Sequence, residues 1–121
     1  MTIREIVIKR NDRREPVRIA PLSRSTGEKL NNMTGATAVF SMTDLSTGDL
    51  KINRQPCTVS VSGSGVLQYV QYAWADGDTD TVGDYGAEFE VTDPSGRKLT
   101  LPNQRGCHYL SIRIIADLDA T

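Results

Sequence analysis

Tyr85-Gly86-Ala87-Glu88-Phe89-Glu90-Val91-Thr92 is the stretch that decides the fold. Apolar side chains stand at 85, 87, 89 and 91, and small or charged ones stand between them. Successive side chains of an extended chain point to opposite sides, so this period of two describes a strand with one oily and one wet face. Working outward, Ala36, Ala38, Phe40 and Met42 repeat the pattern opposite Thr37, Val39 and Ser41. His108, Leu110, Ile112 and Ile114 do so again, opposite Tyr109, Ser111 and Arg113. Val66, Val70, Tyr72 and Trp74 share a face that Gln68 interrupts.

Turn signals separate these runs. Ser46-Thr47-Gly48-Asp49, Ser62-Gly63-Ser64-Gly65 and Asp93-Pro94-Ser95-Gly96 hold the residues that accept φ > 0 or pre-set φ. The last predicts a hairpin folding residues 85–92 against about 97–101. Pro102-Asn103-Gln104-Arg105-Gly106 predicts a kink or bulge before the final strand. Near the start, Ile3, Ile6, Val7 and Ile8 predict one strand and Val17 with Ile19 a second, across a charged turn at residues 10–15. Ser23 to Asn32 has no strong period and reads as a loop or one short helical turn. No long helix is predicted. The expectation is one domain over residues 1–121: an all-β, immunoglobulin-like antiparallel β-sandwich of about seven strands.

Composition agrees with a globular chain. Of 121 residues, 38% are hydrophobic and 24% charged, outside the disordered class. A domain of this length buries roughly two-thirds of its unfolded surface, so no disulfide or metal is needed for a core. The two cysteines, Cys57 and Cys107, have no metal-ligand spacing. They are expected to be free and packed in a chain made in a reducing cytosol, with a 57–107 bridge open as an alternative after release from a cell. No apolar leader or membrane span is apparent.

The net charge of −1 argues against a dedicated nucleic-acid binder, but charge is unevenly spread. Residues 1–30 hold eight Lys or Arg against four acids, and residues 76–93 hold seven acids and no base. Lys9, Arg10, Arg13 and Arg14, with Arg18 beyond them, form the basic cluster; Asp76, Asp78 and Asp80 lead the acidic one. These are the candidate protein-contact residues, with the basic cluster of one copy docking on the acidic stretch of another. The competing reading is solvated faces that keep the chain in solution.

Catalytic and metal chemistry fit poorly. Asp76-Gly77-Asp78-Thr79-Asp80 imitates the first ligand positions of a calcium loop, yet Thr81 and Ala87 stand where its glycine and bidentate glutamate belong. Asp- and Gly-rich turns that cap backbone amides explain it better. Cys107 and His108 are adjacent, so on a strand they point apart and make a poor nucleophile–base pair. Glu88 and Glu90 lie about 7 Å apart on one strand face, near a glycosidase spacing, but on an open face with no cleft to raise a pKa. No catalytic residue, cofactor or metal is assigned, and no enzyme is expected.

The ordered motifs resemble the N-terminal domain family of phage baseplate upper proteins, a group of immunoglobulin-like virion modules. The residues that carry the resemblance are Ile6-Val7-Ile8-Lys9-Arg10-Asn11-Asp12, Met33-Thr34-Gly35-Ala36-Thr37-Ala38-Val39-Phe40-Ser41-Met42, and above all Tyr72-Ala73-Trp74-Ala75-Asp76-Gly77-Asp78 running on to Tyr85. They continue through Asp93-Pro94-Ser95-Gly96-Arg97, Thr100-Leu101-Pro102-Asn103 and Ile112-Arg113-Ile114. Where the family has Gly-Asp after the first strand, this chain has Asn11-Asp12. Longer members also run on into a receptor-binding part, whereas this chain stops soon after its last strand, so a stand-alone copy on head, neck or tail is equally expected. The resemblance implies a phage or prophage virion structural protein, made in the host bacterial cytoplasm. Its partners would be other virion proteins in several copies, in the tail, baseplate or head–tail region. The alternatives are a capsid decoration protein, or a carbohydrate-binding sandwich for host adsorption that would use Tyr69 and Tyr109. Gly83-Asp84-Tyr85 further resembles a tyrosine corner, with Ala87 where antibody domains carry a cysteine and Trp74 plugging the core.

Overall fold

A computed structural model describes residues 5–20, 31–102 and 109–116. Nine strands follow in chain order: β1 (Glu5–Lys9), β2 (Val17–Ile19), β3 (Thr37–Asp44), β4 (Leu50–Pro56), β5 (Thr58–Val61), β6 (Leu67–Tyr72), β7 (Gly83–Thr92), β8 (Lys98–Leu101) and β9 (Leu110–Ile115). They form two sheets, one ordered β1-β9-β7-β3-β4 with β8 also on β7, the other ordered β2-β6-β5. Third, seventh and last strands share one sheet while the second, fifth and sixth share the other, which is the division an immunoglobulin-type sandwich makes.

One of the two strands beyond the expected seven has a local origin. β9 pairs with β7 over Gly83–Ala87, and β8 pairs with the same edge of β7 over Phe89–Thr92. They are two halves of one strand, interrupted between Leu101 and Leu110. A second difference is that β1 runs parallel to β9, so the larger sheet is mixed and not wholly antiparallel. Ile3, the expected loop or helical turn up to Leu30, the stretch from Asn103 to Gly106, Cys107 and His108 all lie outside the described residues.

The core is the set of positions that alternation selects. Phe40 and Met42 on β3, Tyr85, Ala87, Phe89 and Val91 on β7, and Leu110, Ile112 and Ile114 on β9 are all buried from the larger sheet. Val17 and Ile19 on β2 with Leu67, Val70 and Tyr72 on β6 close over them. Phe40 is the hub. Its ring stacks on Tyr72 across the sandwich at 4.5 Å, meets Phe89 at 4.9 Å and takes Trp74 edge-on at 6.0 Å.

One face assignment is corrected. Leu67, not Val66, joins the core, because the register steps from Ser60↔Tyr69 to Val61↔Leu67 and leaves Gln68 as the extra residue of a β-bulge. The bulge flips the alternation by one, which is why Gln68 interrupted the pattern. The β7–β8 hairpin forms as expected, with Thr92 opposite Lys98, a Gly96 N–H donating to Asp93 O at 2.9 Å and φ +93 at Gly96.

The tyrosine corner is present. The Tyr85 hydroxyl, at the entry to β7, donates to the Thr81 carbonyl at 2.8 Å, and Tyr85 is only 1% exposed. Tyr85→Phe is expected to cost about 1 kcal/mol in urea denaturation, since it removes one largely buried hydrogen bond and leaves the ring in place. An unchanged midpoint would show that the corner contributes nothing.

Candidate interaction surface

The acidic stretch is neutralised within its own chain. Asp76 meets Arg13, Asp80 takes Lys51 at 2.6 Å, Asp84 takes Arg113 at 3.0 Å, Glu90 lies between Arg54 and Lys98 at 3.1 and 3.5 Å, and Asp93 takes Arg97 at 3.2 Å. Asp78 has another role. Its Oδ2 accepts the Tyr72 hydroxyl at 2.5 Å and the Ala75 N–H at 2.8 Å, so it fastens the loop after β6 to the core. Of the seven acids only Glu88 makes no such contact among the described residues. The three carboxylates that imitate a calcium loop therefore point to three different protein partners, and only Asp78 caps a backbone amide, whereas Asp76 and Asp80 pair with cations.

Arg13 and Asp76 are brought together by the backbone. The Asn11 N–H donates to Thr79 O at 2.9 Å, and the buried Thr79 hydroxyl donates to Asp12 O at 3.1 Å, which laces the β1–β2 turn onto the loop before β7. Asn11 sits at φ +69, a conformation glycine favours and asparagine tolerates. The contact expected between copies is thus made inside one copy by at least this pair. Lys9 and Arg14 point to solvent, and Arg10 is half-buried with an Nε that has no hydrogen-bond partner. Arg18 lies over the Tyr69 ring at 3.9 Å and donates to Gln71 at 2.6 and 2.9 Å. The basic cluster therefore has an aromatic neighbour in space that it lacks in sequence.

Four carboxylates are held below their ordinary range by the groups around them. The Ser46 hydroxyl and amide hold Asp44, the Lys51 ammonium and Thr81 hydroxyl hold Asp80, Arg54 holds Glu90, and the Ser95 hydroxyl with the Arg97 amide holds Asp93. Such a direction is the opposite of what Glu90 would need as a general acid. Burial pushes the Cys57 thiol up to about 12, so it is a poor nucleophile at neutral pH. Burial, then the bond to Asp78, raises the Tyr72 phenol, and burial raises Tyr85.

Exposed apolar side chains collect mainly on one side. Among the described residues, Val7, Leu45, Leu50 and Val82 are the large hydrophobics left about half exposed. Val7 alternates with the half-buried Ile6 and Ile8, so it faces outward from the larger sheet opposite Arg113. Leu50 pairs with Thr43, which pairs with Gly86, on the same outward face. Leu45 donates its N–H to Asp84 O and reaches over Gly86, where an added Cβ would lie 3.2 Å from its Cδ2 and 3.0 Å from Tyr109 Cδ2. Val82 stands at the rim, where the chain enters β7. The charges on this face balance: Lys9, Arg54, Lys98 and Arg113 against Glu5, Asp84, Glu88 and Glu90.

The opposite face of the sandwich is polar, with Arg18 and Gln71 paired on β2 and β6 and Ser60 bound to Gln68. Tyr69 belongs to this side and Tyr109 to the other, so the two candidate sugar-stacking rings share no platform, and one face of Tyr69 is already covered by Arg18. The apolar outward face carried no signal in the alternation, because its members lie on four separate segments. Comparison with protein-family models, curated proteins and solved structures finds no match to this chain. The resemblance to the baseplate upper protein domains rests on the ordered motifs themselves.

A carboxylate whose pKa is lowered on folding stabilises the fold above its ordinary value, and that contribution fades as pH falls through the folded value. The melting temperature is therefore expected to hold between about pH 5 and 7 and to fall as the solution is taken below about pH 4. Calorimetry showing a melting temperature that rises from pH 5 to pH 3 would contradict this.

Proposed function

We propose that this chain is a non-catalytic docking module of a phage or prophage virion, seated against neighbouring structural proteins through the outward face of its larger sheet. The observation that carries the docking reading is the gathering of Val7, Leu45 and Leu50 on one side while all the acids of residues 76–93 but Glu88 are satisfied internally. Apolar side chains left in water are the ones with most to gain from a partner, at about 25 cal/mol per Å² covered. Asp84 and Glu90 beside them are already paired across strands, which lowers the cost of drying that part of the face. The virion setting, the several copies per particle and assembly in a bacterial cytoplasm rest on the motif order quoted above. The basic turn is secondary here, since Arg13 is engaged with Asp76.

Leu45→Lys with Leu50→Lys tests the face, because both residues are about half exposed and should leave the core intact. A tagged copy carrying both is expected to be at least about tenfold depleted from purified particles, the loss set by two contact residues of ordinary weight. Its melting temperature should stay within a few degrees of the parent. Undiminished occupancy of the particle by this variant would refute docking through this face.

A further inference from the structure

We propose that the occupant of the outward face is a second copy of this chain, packed sheet against sheet. The proposal rests on the docking reading and specifies its partner. Two identical faces repel each other when they carry net charge, and this one carries none: four cations stand against four carboxylates. The whole chain is similarly near neutrality at −1, which removes the long-range barrier to self-association. A partner of either charge sign would gain little from a surface whose Asp84–Arg113 and Glu90–Arg54 pairs are already closed.

The arrangement of the apolar groups suits a copy as well. Val7 lies on one edge strand and Leu50 on the other, four strand positions apart in the order of the sheet, with Gly86 on the central strand. A two-fold axis running in the interface along β7 brings β1 of one copy over β4 of its mate. Val7 then approaches the Leu45 and Leu50 region twice over. Five strands about 4.8 Å apart, sharing about six residues at 3.3 Å each, give a face roughly 20 Å on a side. That is about 400 Å² per copy, roughly half a standard interface, so association is weak and the dissociation constant is expected on the order of 100 μM.

Sedimentation velocity of the full chain over about 1 to 300 μM reads this directly, since the range brackets that constant. The mass is expected to rise from one chain toward two across the series, and Leu45→Lys with Leu50→Lys to weaken association about 100-fold, about tenfold for each buried charge. Val7→Lys, on the far edge, supplies an independent variant and should weaken it about tenfold. A parent chain that stays monomeric, or a dimer indifferent to all three substitutions, overturns the proposal. A monomeric parent whose double variant still fails to enter particles removes the second copy and leaves the docking face; a monomeric parent with normal particle occupancy of the variant removes both.

Discussion

β7 is the element on which the rest depends, because all its directions are used at once. One edge pairs with β3 over eight residues, from Tyr85↔Asp44 to Thr92↔Thr37. The other edge is shared end to end by β9 and β8. Its inner face supplies Tyr85, Ala87, Phe89 and Val91 to the core, all at or below 1% exposure. A slip of one residue would send those four side chains into water and bring Gly86, Glu88 and Glu90 inside, so the register has no low-energy neighbour. The Tyr85 corner and the Asp93–Gly96 turn pin its two ends. Strands that are peripheral to it, such as β1 and β2, are held by fewer pairs.

Much of this was legible in the residues themselves. Phe40, Phe89 and Ile112 fall inside because alternation is a local property that each strand carries alone. Tyr85 could be named as a corner because the glycine–acid–tyrosine entry is local too. The parallel pairing of β1 with β9 was not legible, since a strand's own pattern does not say which way its neighbour runs. Gln68 shows the limit from the other side: the anomaly was visible, but only the pairing with Ser60 and Val61 shows it to be a bulge that turns Leu67 inward. A single strand interrupted between Leu101 and Leu110 likewise looks like two until its shared edge on β7 is seen.

The charges read least well, and for a physical reason. A run of seven acids looks like a docking surface in sequence because linear neighbours share a sign. In the folded chain the neighbours that matter lie across strands, and Asp80 finds Lys51, Asp84 finds Arg113 and Glu90 finds Arg54. Strand pairing converts a charged segment into a balanced face. The same pairing lifts Leu45, Leu50 and Val7, distant in sequence, onto that face, where they become the surface with most to gain from contact. Stability and the proposed docking thus fall to the two sides of one sheet: alternate residues of β7 floor the core, and Asp84 and Glu90 among the others carry paired charge.

Native-state amide hydrogen exchange is the most direct test of the claim that β7 organises the fold, because it ranks segments by the free energy needed to open them. Amides of β7 and of the β3 residues paired with it are predicted to exchange only through global unfolding, and more slowly than those of β1 and β2. Exchange in Tyr85 to Val91 that is as fast as in β1 would contradict the account.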